Sequence, residues 1–260
     1  MAVLSCVAAA APAAAATPPG PGLIVASVDL AKPFATRSPW RLAVRQGPPQ
    51  ADAFGADGDT VPGPITLCLQ TSDRCDAQLP AMPPSPSGLA DAWDAHYLNA
   101  AKVVFAKGRT APPLLLVQTA SLHSGDGDQL VFTQVLAYRR ASDRFTVIHS
   151  QQTGRNNNQE VRLVDSGPLA GAVVFAEPTE NAPFGYWITV NRLSPAYAYK
   201  QVLHYRSATH YGDGNPLAVI DSEMPDIEQR LGLWRPGAPL PLPAGPCPKP
   251  HLVNTVLWCS

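Results

Sequence analysis

Tyr186-Trp187-Ile188-Thr189-Val190-Asn191-Arg192-Leu193 decides the fold class, because it alternates. Tyr186, Ile188 and Val190 point one way and Trp187, Thr189 and Asn191 the other, the two-residue period of a strand between two environments. Upstream, Gln134-Val135-Leu136-Ala137-Tyr138-Arg139 echoes it. Each copy has similar company. Leu115-Leu116-Val117 precedes the first and Val173-Val174-Phe175 the second, while Phe145-Thr146-Val147-Ile148 follows the first and Tyr199-Lys200-Gln201-Val202 the second. The offsets are 58, 53 and 54 residues, which describes a degenerate repeat with loop differences, in units of about 114–165 and 172–221. Periods near this length occur in propeller blades. Two unrelated meanders would also share this period and turn chemistry. Leu23 and Ile65 are candidate starts of earlier, more degenerate units.

Working outward, further short runs rich in Val, Ile, Leu, Thr and aromatics predict strands over Leu23–Leu30, Trp40–Arg45, Ile65–Gln70, Leu114–Ala120, Leu130–Tyr138, Arg144–Ser150, Glu160–Val164, Ala172–Ala176, Tyr199–Tyr205, Leu217–Ile220 and Leu252–Trp258. The continuous run Leu114-Leu115-Leu116-Val117 suits a central strand covered on both faces. With 29 prolines and 19 glycines, turns are many and long helices few. One segment departs from this. Leu89, Trp93, Tyr97, Ala101 and Phe105 fall at four-residue spacing between Ser87 and Gly108, which predicts an amphipathic helix, with Lys102–Ala106 open to a strand reading. A shorter helix is expected from Pro225 to Leu231, stopped by Gly232. The expected fold is therefore mainly β, propeller-like or a β-sandwich built from antiparallel meanders, with one or two short helices. Residues 23–260 form a single β-rich domain in this reading.

The amino terminus is of another kind. No charged side chain occurs before Asp29, residues Ala2–Ala11 are apolar, and Ala13–Ala16 offers an A-x-A type cleavage site. Residues 1–22 read as a signal peptide or an Ala/Pro-rich leader, although a basic n-region is missing. The apolar run is too short, and too broken by Pro12 and Pro18, for a transmembrane span. Val3-Leu4-Ser5-Cys6 resembles a bacterial lipobox, which would make Cys6 a lipidation site and membrane tether. The other four cysteines form two local pairs, Cys68 with Cys75 and Cys247 with Cys259, expected as disulfides. Disulfides belong to exported proteins, so the expected location is periplasmic or secreted.

Charge excludes some partners. A net charge of −1 from 19 basic and 20 acidic residues gives no electrostatic footprint for nucleic acid. The chain lacks G-x-S-x-G, the phosphate-binding glycine motifs and H-E-x-x-H. Ser124-Gly125-Asp126-Gly127-Asp128 resembles the calcium loops of FG-GAP propeller blades over five residues, which implies Asp126 and Asp128 as weak calcium ligands. Asp-Gly is equally a turn signal, and no cofactor is otherwise expected.

Two polar loops carry the candidate ligand-binding residues. Thr153–Glu160 contributes Arg155, Asn157 and Glu160, and Glu177–Trp187 contributes Glu180 and Trp187. His149 and His204 follow corresponding strands of the two units and join the set. Amides, acids and aromatics on long loops suit an envelope or extracellular glycan, peptide or protein. The expectation is an exported, non-enzymatic binding or structural protein of the cell envelope. One alternative is an envelope hydrolase using histidines and carboxylates from these loops. The other is a lipid-anchored structural protein held through Cys6.

Overall fold

Alternating strands bury both faces of a sheet only if something apolar lies on each side, and this chain solves that by stacking. The computed structural model describes residues 22–52, 55–56, 58–83, 94–106, 112–124, 127–154, 159–181, 184–210 and 212–260. In chain order come β1 (Leu23–Asp29), α1 (Ala31–Phe34), β2 (Arg41–Gln46), a small hairpin of β3 (Gln50–Ala51) and β4 (Thr60–Val61), then β5 (Ile65–Gln70) and β6 (Ala77–Leu79). There follow β7 (Tyr97–Phe105), β8 (Pro113–Ala120), β9 (Leu130–Arg139), β10 (Arg144–Gly154), β11 (Glu160–Leu163), β12 (Val173–Pro178), β13 (Gly185–Leu193) and β14 (Tyr199–His210). The chain ends with α2 (Val219–Arg230), β15 (Pro250–Val253) and β16 (Val256–Cys259).

The strands form three four-stranded antiparallel meanders: β1-β2-β5-β6, then β7 to β10, then β11 to β14. The echoed segments occupy the second, third and fourth strands of the second and third sheets. On one side of the second sheet, Leu115, Val117, Leu136 and Tyr138 meet Leu42, Val44, Leu67 and Leu69 of the first. On the other side, Leu114, Leu116, Val135 and Ala137 meet Val161, Leu163, Val173 and Phe175 of the third. The far side of the third sheet, with Val174, Ile188 and Val190, is covered by Val219, Ile220 and Ile227 of α2. The run Leu114–Val117 is apolar throughout because β8 is an interior strand with a sheet on each side. Where the second and third sheets converge, Gly171 sits at φ +84° and a Cβ there would lie 2.3 Å from Ala106 Cβ, so only glycine fits.

Four sequence expectations need correction. Residues 97–105 of the expected helix form β7, paired along its length with β8; residues 84–93 lie outside the described residues. Four is a multiple of the strand period as well as close to a helical turn, so the spacing fits both, and pairing with β8 decides. The second helix starts at Val219, six residues before Pro225, which lies inside it. Leu217–Ile220 is accordingly not a strand: Val219 and Ile220 begin α2. Leu252–Trp258 is not one strand but a hairpin, turning at Asn254 and Thr255 with φ of 49° and 73°, the paired positive values of a two-residue turn matching strand twist.

Two disulfides close the expected local pairs. Cys68–Cys75 spans 5.5 Å between Cα atoms and ties β5 to the loop before β6. Cys247–Cys259 spans 4.8 Å and anchors the C-terminal hairpin, whose β16 packs on α2. Each closes a short loop worth about 2–3 kcal/mol in the chain-entropy account. Among the described residues no helix is long and apolar enough to cross a membrane. Cys6 lies outside the described residues.

Candidate functional site

The third sheet extends beyond the cover of the second, and its last three strands, β12 to β14, present a patterned face. Register places Glu177 of β12 opposite Trp187 of β13, and Trp187 opposite Arg206 of β14. The next row on that face is Phe175, Thr189 and His204. The Trp187 indole stacks on the His204 imidazole with centroids 5.0 Å apart and planes 13° from parallel. Thr189 Oγ1 is hydrogen-bonded to His204 Nδ1 at 2.9 Å, which fixes the imidazole and, through it, the indole. Trp187 remains 39% exposed, with Glu177, His204 and Arg206 also exposed around it. The result is a rigid aromatic surface flanked by an acid on one side and a guanidinium on the other. Large aromatics held in one rotamer contribute contact area at little conformational cost.

His149 approaches the same rows from the second sheet. Its ring lies 5.3 Å from Phe175 and 5.7 Å from Tyr199, edge-on to both. A bulge between Val147 and His149 turns the side chain into this seam. Its Nε2 is buried with no hydrogen-bond partner, and burial pushes the imidazole below its ordinary value. Burial likewise pushes the Tyr199 hydroxyl up, while that hydroxyl donates to Gly171 O at 3.1 Å. His149 and His204 thus share one face of the third sheet, separated by Phe175 and Thr189. Among the described residues neither forms an ion pair with a carboxylate.

Other expected site residues are engaged elsewhere. Glu160 binds the Arg162 guanidinium with one oxygen and accepts from the Ile220 amide at 3.0 Å with the other, while Arg162 also grips Asp221. This trio fastens β11 to α2. Glu180 is exposed between β12 and β13, next to Thr179, whose backbone amide donates to Gly185 O at 2.9 Å. Arg155 and Asn157 lie outside the described residues, as does Asp126. Asp128 closes a turn, its carbonyl accepting from Ser124 N at 2.8 Å, with Gly127 at φ +86°. The Asp-Gly pair of Asp213-Gly214-Asn215 likewise forms a turn, with Asp213 Oδ1 accepting from Asn215 N at 2.9 Å. Among the described residues no three His, Cys, Asp or Glu side chains gather as a metal site.

Sequence reading singled out Trp187, His149 and His204 but missed Glu177, Thr189 and Arg206. Their two-residue spacing from known positions was a usable signal, but only register between strands shows which three residues form a row. It also passed over His96 and His123, which line a cavity built from distant segments. No protein-family model, curated protein or solved structure matches the chain.

Proposed function

We propose that this is an exported, non-enzymatic binding protein of the cell envelope, periplasmic or secreted, that holds glycan chains on the exposed part of the third-sheet face turned toward the second sheet. The observation that carries the reading is the fixed, exposed Trp187–His204 stack between Glu177 and Arg206. A pyranose ring has an apolar face that packs flat on an indole and equatorial hydroxyls that reach sideways. Here those hydroxyls would meet a carboxylate acceptor and a guanidinium donor at opposite rims. Two disulfides support an oxidising compartment. His149, packed between rings with its Nε2 buried, serves as a wall of the site rather than as an acid or base.

The test is a fluorescence titration with chitotetraose, cellotetraose and maltotetraose. At least one should give a saturable change in tryptophan emission. Trp187→Ala should weaken that binding at least tenfold and His204→Ala several-fold, with far-ultraviolet circular dichroism unchanged. Binding that survives Trp187→Ala intact, or no binding by any of the three sugars, would sink the reading.

A further inference from the structure

At the end of the stack where β1 meets the start of β7, two cavities open side by side and share Val25, Gln46 and Pro62. The larger, about 820 Å³, is walled mainly by Leu23, Val25, Pro48, Pro49, Val61 and Pro62. The smaller, about 480 Å³, is lined by His96, Tyr97, Asn99, His123 and Gln129 among others. Their sizes fall in the range of ligand sites. Leu23, Ile24 and Val25 are three consecutive apolar residues exposed on an edge strand, Leu23 at 76%. Such a run facing solvent on an unpaired edge is uncommon and marks a contact surface.

The two histidines have the same hydrogen-bonding arrangement. His96 Nδ1 lies 2.7 Å from Pro62 O and His123 Nδ1 lies 3.3 Å from Gly127 O. A carbonyl only accepts, so each Nδ1 carries the hydrogen, and Nε2 is the nitrogen that, in the neutral tautomer this selects, offers a lone pair to another group. Among the described residues neither Nε2 has a partner. No Lys, Arg, Asp or Glu occurs among the described lining residues of either cavity.

We propose that the joined cavities bind a neutral amphiphile, its hydrocarbon chain along Leu23, Val25 and Val61 and its hydroxylated head donating hydrogen bonds to His96 and His123. The two ends select both halves of such a molecule. An anionic head would meet imidazole acceptors without a cation to balance it. A plain hydrocarbon would leave those acceptors unpaired at the polar end. The site shares no residue with the Trp187 face and does not depend on what binds there.

Calorimetric titration of the whole protein with octane-1,2-diol tests this. Octane-1,2-diol should bind at least tenfold more tightly than butane-1,2-diol, because only the longer chain reaches along Val25 and Val61, and at least tenfold more tightly than octanoate, which lacks a donor. Val25→Asp, on the exposed edge strand, should abolish the chain-length difference. His123→Asn keeps an amide donor in place of Nδ1–H and removes Nε2; it should reduce the preference for diol over octanoate several-fold. Equal binding of diol and octanoate, no binding of the diol, or an unchanged chain-length difference in Val25→Asp would each overturn the proposal.

Discussion

Two tyrosine–carboxyl pairs fasten the two outer seams of the stack, and their surroundings differ above all in burial. At the seam of the first and second sheets, Tyr138 Oη donates to Asp143, which also accepts from Ser38 Oγ and, at 3.3 Å, from the Arg37 amide. At the seam of the third sheet and α2, Tyr205 Oη donates to Glu223 at 2.8 Å, and Glu223 also accepts from the amide and hydroxyl of Thr209. Asp143 lies in the exposed turn after β9, at φ +51°. Glu223 is 0% exposed. Near water, hydrogen bonds from Ser38 and Tyr138 dominate and hold Asp143 down to about 2. In the interior, desolvation outweighs the same kind of donors and raises Glu223, with Asp226 adding to the rise. Donors of the same kind therefore accompany opposite shifts on the two sides of the molecule, because desolvation outweighs them only at Glu223.

The largest expected effect comes from removing the buried partner. Glu223→Ala leaves the Tyr205 hydroxyl and the Thr209 amide without their acceptor, leaves the Thr209 hydroxyl only Ser222 Oγ at 3.4 Å, and opens a void under α2. It should cost about 3 kcal/mol in urea unfolding, whereas Glu223→Gln, which keeps an acceptor, should cost about 1 kcal/mol. Equal costs for the two would mean that packing alone, and not acceptor loss, holds this seam.

The pH dependence sharpens the contrast. Glu223 is raised in the folded protein, so its contribution is fully present below the ordinary carboxyl range and is lost as pH rises through its folded value. Tyr205, Asp226 and Arg230 face it; Arg230 pairs with Asp226 at 2.8 Å and lies 4.1 Å over the Tyr205 ring. Asp143 is lowered, so its contribution is present above its unfolded value of about 3.8 and is lost as pH falls toward about 2. Stability measured from pH 2 to 8 should lose part of its acid limb in Asp143→Asn and part of its decline at higher pH in Glu223→Gln. Identical profiles for the two variants would break the comparison.

The smallest effect should come from the outermost face of the first sheet. There Arg41 pairs with Asp73, whose side chain is fully exposed. Arg41→Ala should change stability by less than about 0.5 kcal/mol, as for other solvent-screened pairs. A larger loss would show that this face is covered in the working protein.

Much of the fold was legible. Ile65–Gln70 reads as a strand and is one, and the echo around Ile188 finds equivalent strands in consecutive sheets. The candidate site was half legible: Trp187 and His204 stand out by type, but Thr189, which locks them, looks like any strand threonine. The α2 seam was hidden for a different reason. Glu223 and Asp226 look like solvated helix acids until Tyr205 and Thr209 arrive from β14.

What the sequence determined by itself is what depends on neighbours along the chain: strand periodicity, turns at Asp-Gly and the local cysteine pairs. Tertiary structure decided whatever depends on a partner far along the chain. Tyr97–Phe105 became a strand because β8 offered an edge to pair with. Glu177, Trp187 and Arg206 became one row because three strands fell into register. Asp143 and Glu223 took opposite proton affinities because one seam stays near water and the other is sealed, a difference of environment that no stretch of sequence carries.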